Sequence, residues 1–240
     1  MIRLFAYYGS KVRASGRYPL PLYDTIVEPF AGAAGYSCRY ADRKVILYDS
    51  DPKIAAILAY LINVSAAEIM SLPLLGVDES VDDFQIPQEA RWLLGMWINN
   101  GTVSPCKKLS KWARAQIDNM PANFWGPRCR ERLSQTVEKI KHWKVYADSW
   151  QESGRRHKEP ATWFIDPPYQ GAGHHYSHSC VNYAALAMFS RGRLGQTIVC
   201  ENVGATWLPF RPLYKLQGAA LKGGKHKQTV EAMWYRERTA

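Results

Sequence analysis

The sequence predicts a doubly wound α/β domain whose mostly parallel sheet is interrupted by a small, mainly helical insert. Short β-branched runs, Thr25-Ile26-Val27-Glu28 and Val45-Ile46-Leu47-Tyr48, read as buried strands. A small-residue turn, Ala31-Gly32-Ala33-Ala34-Gly35, follows the first of them, as at the opening of a nucleotide-binding βαβ unit. From about Ser65 to Trp143 this rhythm stops, and it resumes at Trp143-Lys144-Val145-Tyr146. A chain of 240 residues holds one sizeable core, or a core with a small inserted subdomain. The predicted division is a sheet domain made of residues 1–64 and 144–240, with an insert over 65–143.

Taken in order, Tyr7-Tyr8-Gly9-Ser10-Lys11 and the proline-rich Tyr18-Pro19-Leu20-Pro21 read as a loop that sets a few side chains over a site. The strand at 25–30 leads through the glycine turn to a helix start at Tyr36 and Ser37. The second strand ends at Asp49-Ser50-Asp51-Pro52, and Ile54, Ile57, Leu58 and Leu61 then cover one face of a helix. Residues 78–89 are acidic and loop-like, whereas 87–99 carry Ala90, Leu93, Leu94 and Trp97 at helical spacing. A basic stretch follows, with Trp112, Trp125 and Trp143 among its cations; aromatic residues so placed suit either stacking or a core. Further strands end at Ile165 and Cys200, and Thr229–Tyr235 closes the sheet.

Charge narrows the partner. The formal net charge is +10, and between Gly101 and Lys144 ten basic residues face only Asp118, Glu131 and Glu138. Such a patch favours a polyanion, with Lys107, Lys108, Lys111, Arg114, Arg128 and Arg130 as the nucleic-acid contacts. An anionic membrane is the weaker partner, because no apolar run approaches the roughly 20 residues of a spanning helix and the N-terminus lacks a signal-peptide pattern. The cytoplasm is the expected compartment. The five cysteines are scattered without a C-x-x-C pair and read as reduced thiols. His174, His175, His178 and Cys180 are all able to bind zinc, but they follow a glycine-marked loop and lack a second ligand pair at finger spacing. A loop approaching DNA beside the active site is the preferred reading, and no metal is expected.

Directly after Ala161-Thr162-Trp163-Phe164-Ile165 comes Asp166-Pro167-Pro168-Tyr169. A strand ending in a carboxylate, two prolines and an aromatic suits methylation of a planar exocyclic amine. The lone pair of such an amine is conjugated with its ring and attacks poorly. Acceptors at the Asp166 side chain and the Pro167 carbonyl would each take one amino hydrogen and draw the nitrogen toward tetrahedral geometry. The prolines stiffen the turn. Tyr169 is positioned to stack on the base, a contact of roughly 1–3 kcal/mol in nucleic-acid proteins.

The glycine turn is a weak signal by itself, and Asp49, fourteen positions beyond Gly35, suits a nucleoside ribose in a dinucleotide oxidoreductase equally well. The downstream motifs decide. In their order the chain resembles the S-adenosylmethionine-binding N6-adenine DNA methyltransferases, the group related to the enzyme that methylates GATC. Tyr7 to Lys11 matches an aromatic-x-x-x-Lys element, and Glu28 to Gly35 an E-P-F-x-G-x-G-type loop. Asp49, a basic insert and Asp166 to Tyr169 follow in family order. Tyr146-Ala147-Asp148-Ser149 and Gly223-Gly224-Lys225-His226-Lys227 before Val230-Glu231 are further echoes.

The resemblance implies a seven-stranded, Rossmann-like methyltransferase sheet. It implies that Tyr7 and Lys11 lie at the cofactor's methionine end, with Glu28, Phe30, Gly32 and Gly35 shaping the same pocket. Asp49 would bind the ribose, Asp148 the cofactor adenine, and Asp166 would stand between the methionine moiety and the target amine. Lys225 and Lys227 would contact DNA. The implied partner is double-stranded DNA with its adenine flipped out, and a monomer is favoured. Asp51 competes with Asp49 for the ribose. Ala33-Ala34 departs from the family's glycine turn and unsettles the contact assigned to Gly35. The insert shows no hairpin alternation, so a short or relaxed sequence preference is expected. Cytosine N4, RNA adenine and a catalytically silent binding role remain as alternatives.

Overall fold

The computed structural model describes residues 3–99, 101–119, 121, 123–171, 180–220 and 226–238, the side chains of 215–220, 226–229 and 238 excepted. Four strands, Thr25–Glu28 (β1), Lys44–Tyr48 (β2), Ala161–Ile165 (β4) and Gly195–Asn202 (β5), form the centre of one sheet. Lys144–Tyr146 (β3) lies outside β2, and the hairpin of Arg211–Ala220 (β6) and His226–Arg238 (β7) completes the other side. The order is β3-β2-β1-β4-β5-β7-β6, with β7 antiparallel to both neighbours and the five-strand block β3 to β5 parallel. This is a mixed α/β fold with a seven-stranded, mostly parallel sheet, compatible with a Rossmann-like architecture.

Strands buried on both faces need continuous apolar runs, and all five residues of β4 are buried. Alternate side chains supply two cores. Ile26, Leu47, Phe164 and Ile198 point to one, where Pro52–Asn63 (α1) packs with Ile54, Ile57, Leu58 and Leu61. Val27, Ile46, Trp163 and Val199 point to the other, which Tyr183–Gly192 (α7) covers with Leu186 and Ala187. The sheet is doubly wound. Asp51 caps α1 by accepting the Lys53 N–H at 2.9 Å, and Pro52 sits at its first turn.

The insert contributes Ala66–Ser71 (α2), Gln88–Trp97 (α3), Lys111–Ala115 (α4) and Pro127–Val137 (α5). Its apolar residues do not form a separate core. Leu93, Trp97, Trp125 and Leu133 join the same cluster as α1 and the sheet. The Trp97 indole donates to the Leu4 carbonyl at 3.1 Å and the Tyr8 N–H to the Thr102 carbonyl at 3.0 Å, so the N-terminal segment is strapped to the insert. The short helix Trp150–Arg156 (α6) follows β3.

Three local expectations need correction. After the glycine turn there is no α-helix, only the 3-10 turn Ser37–Tyr40, because few residues separate Gly35 from β2. The strand expected to end at Cys200 continues to Asn202. The strand expected over Thr229–Tyr235 does not close the sheet: it is β7, His226–Arg238, and β6, which contains Pro212 and pairs with β7 through two register irregularities, lies outside it at the edge.

Candidate active site

In an open parallel sheet, ligand crevices lie beyond the carboxyl ends of the strands where the winding reverses. Here that point is between β1 and β4. A cleft of about 670 Å³, counting its open mouth, lies there, lined by the N-terminal loop 7–11, Glu28, Phe30, the glycine turn, Asp49–Asp51, Asp166 and Pro168. Tyr7, Lys11, Glu28, Phe30, Gly32, Gly35, Asp49 and Asp166 are thus brought to one place.

Asp166 follows the last residue of β4 and is largely buried. Its Oδ1 meets Lys11 Nζ at 2.9 Å. Lys11 also lies 3.7 Å from Glu231 Oε1, donates to the Gly9 carbonyl at 3.2 Å and stands 4.7 Å from the centre of the Tyr169 ring. Burial raises the Asp166 carboxyl above the usual aspartate range; Lys11 pulls it back, and Glu231 pushes it up again. For Lys11, burial acts downward, but the two carboxylates outweigh it and hold the ammonium well above the ordinary lysine value.

The rest of the tetrapeptide is pinned from behind. Pro167 is buried. The Pro168 carbonyl accepts from the Tyr183 hydroxyl at 2.9 Å. Glu201, fully buried, accepts from the Gln170 N–H at 2.9 Å and from the Trp207 indole at 3.0 Å. The Tyr169 hydroxyl donates to Glu231, so its ring is half-buried with one face toward Lys11, and a base would have to meet the opposite face.

The glycine turn is shaped by two left-handed residues, Gly32 at φ +47° and Ala34 at φ +50°. Only glycine adopts that region freely, so Ala34 holds strain of about 1–2 kcal/mol. Gly35 is needed for a different reason. A Cβ there would lie 2.7 Å from the Val12 nitrogen and 2.8 Å from that of Lys11, so the bare backbone lets the Lys11 loop close over the turn. Asp49 orients the turn: its Oδ2 accepts from the Gly32 N–H and its Oδ1 from the Asp51 N–H, each at 2.9 Å. These two bonds aim the carboxylate at the mouth of the turn. Asp51, the rival for a ribose, also lines the cleft, and its Oδ1 caps α1.

Glu28 is buried and accepts from the Ser37 N–H at 2.8 Å, tying the end of β1 to the segment after the turn. Burial pushes its carboxyl up to about 8, against the Ser37 hydrogen bond. The fold therefore prefers the neutral acid: this stabilisation is complete below the ordinary value of 4.5 and is lost as pH rises through about 8. Glu28→Gln keeps the acceptor and stays neutral. Its melting temperature relative to the wild type is expected to rise progressively between pH 4.5 and 8 and then level off; parallel melting curves across that window would contradict the assignment.

Other expected contacts lie elsewhere. Asp148, assigned to the cofactor adenine, pairs with Arg156 at 2.8 Å and does not line the cleft; Trp150 of α6 stacks 6.5 Å from Phe30, which does line it. In the insert, Lys108, Lys111, Arg114 and Arg128 are exposed, and exposed Lys107 pairs with Asp82 at 2.7 Å. Arg130 instead donates to the Leu72 carbonyl at 2.8 Å and ties α5 to the end of α2. Trp125 and Trp143 are buried, whereas Trp112 is 52% exposed. Lys225, the side chain of Lys227, and His174, His175 and His178 lie outside the described residues, and Cys180 is exposed. No group of metal-ligating residues occurs among the described residues, nor a helix long and apolar enough to cross a membrane.

Glu231, Glu201 and Tyr18 were missed as site residues. A lone glutamate within an apolar strand, as in Val230-Glu231-Ala232 or Val199-Cys200-Glu201, was the available signal, since a buried carboxylate demands partners. No family model matches the chain, and no curated protein does. Among solved structures it is similar to a conserved hypothetical protein of Streptococcus pyogenes, at 8% identity and a TM-score of 0.39, over 87% of this chain and 84% of that one. At that distance the likeness carries no functional argument.

Proposed function

We propose that the protein is an S-adenosylmethionine-dependent methyltransferase acting on the N6 amine of adenine in DNA. One observation carries the reading: Asp166 and Pro168 line the same cleft as the glycine turn and Asp49, at the reversal point of the sheet. Of the motifs that carry the family resemblance, the Tyr7–Lys11 loop, the turn from Glu28 to Gly35, Asp49 and Asp166 line this one cleft, and the seven-stranded, mostly parallel sheet is compatible with that resemblance.

The cleft suits the cofactor. Gly32 keeps the turn open beside Tyr7, whose ring an added Cβ would meet at 3.1 Å. Asp49 would hold ribose hydroxyls, Phe30 and Tyr7 would flank the ligand, and Lys11 and Glu28 would face its methionine end. When bound, S-adenosylmethionine supplies an electrophilic methyl group. The chain's own part is positioning. Asp166 and the Pro167 carbonyl accept the amino hydrogens and direct the nitrogen lone pair into the cleft. Asp166 needs no large shift toward neutrality, because the amine becomes acidic only as it gains charge.

Exposed Lys108, Lys111, Arg114 and Arg128 favour a polyanion, and unstacking the target base costs a few kcal/mol that backbone contacts must offset. Incubation with methyl-labelled S-adenosylmethionine and equal amounts of DNA and RNA is expected to place label in DNA. Label in RNA alone would reassign the substrate, and no label in either would favour a silent binding protein.

A further inference from the structure

Glu231 stands in the middle of β7 and is 2% exposed. A single oxygen, Oε1, accepts from the Tyr18 hydroxyl at 2.6 Å and from the Tyr169 hydroxyl, and faces Lys11 Nζ at 3.7 Å. Tyr18 comes from the N-terminal segment and Tyr169 from the tetrapeptide, so one buried carboxylate joins three parts of the chain behind Asp166. Two carboxylates share one ammonium there. With Asp166 alone, Lys11 would pair with it fully and leave a weaker acceptor; with Glu231 also facing the ammonium, one cation is divided between two carboxylates.

We propose, building on the methyl-transfer reading above, that Glu231 is a positioning residue for that reaction: it shares the charge of Lys11 so that Asp166 remains a strong acceptor for an amine gaining positive charge. Its two tyrosine bonds fix where that sharing occurs. Nothing in this role requires Glu231 to touch substrate or cofactor.

Glu231→Gln separates charge from shape, because the amide oxygen still accepts from both tyrosines. Two measurements on the full chain test it. The first is the rate at which a small acylating reagent modifies Lys11 in the free protein, read by peptide mass spectrometry. The variant is expected to react several-fold faster, since its lysine has lost a facing carboxylate. The second is steady-state methyl transfer, in which kcat is expected to fall about tenfold or more while KM for S-adenosylmethionine and the melting temperature stay near the wild-type values. Glu231→Asp, which restores the charge, is expected to recover part of kcat.

Unchanged Lys11 reactivity in Glu231→Gln overturns the proposal whatever the activity. Faster acylation with an unaltered kcat also overturns it. If the wild-type protein transfers no methyl group while Lys11 reactivity rises as stated, the charge sharing stands and the functional reading fails.

Discussion

Lys11→Met is expected to destabilise the fold by about 3–5 kcal/mol at neutral pH, the cost typical of removing one partner from a buried ion pair. The side chain is 10% exposed and Asp166 19%, so water screens little of the loss. Methionine fills most of the volume, and the penalty therefore comes from leaving Asp166 and Glu231 together without a cation. Acid should relieve it. One of the stranded carboxylates then takes up a proton more readily in the folded than in the unfolded chain, so the variant gains stability relative to the wild type as pH falls. Urea denaturation at neutral and acidic pH measures both effects. A loss below about 1 kcal/mol, of the size seen for exposed pairs, would show that Lys11 is not committed to these carboxylates.

Asp166→Asn is expected to lower methyl transfer by about 100- to 1,000-fold, the usual effect of deleting one preorganised electrostatic contact at the reacting centre. Asparagine retains an acceptor oxygen but no charge, and its amide can turn hydrogens toward the amine. Lys11 keeps Glu231, so the fold should hold and cofactor binding should change little. The split between kcat and KM distinguishes this from a packing defect. Near-normal turnover by a well-folded Asp166→Asn would remove Asp166 from the reaction.

Much of this site could be read from the sequence because its parts follow strand ends. Glu28, Asp49 and Asp166 each stand at or just past the carboxyl end of a central strand, and apolar runs reveal those ends. The helices over 52–63 and 88–97 were legible because their buried residues recur at helical spacing. What escaped depended on long-range contact. Nothing in Tyr18-Pro19 announces that its hydroxyl meets Glu231, 213 residues later. Nothing local distinguishes Arg130, bonded to Leu72, from exposed Arg128. Gly35 lines the cleft, but the sequence does not show that its bare backbone also makes room for Lys11 and Val12, neighbours that only the folded loop supplies. The insert's cations were visible, but not that its apolar side would merge with the sheet's own core.

On the proposed DNA-methylation reading, the lack of a hairpin among the described residues of the insert bears on specificity. The insert offers exposed cations and, among the described residues, only the isolated bridge between Ser80 and Lys108 in place of a hairpin. Affinity should therefore rest on phosphate contacts, with few base edges read. Mapping modified adenines over a mixed-sequence substrate should find them in many contexts, and a single strict site would contradict that expectation.

The most direct test of the central claim is the chemical identity of the product. Double-stranded DNA incubated with the protein and S-adenosylmethionine, then digested to nucleosides and analysed by mass spectrometry, should yield N6-methyladenine, and Asp166→Asn should yield almost none. N4-methylcytosine as the product, or no methylated nucleoside from the wild-type protein, would contradict the account.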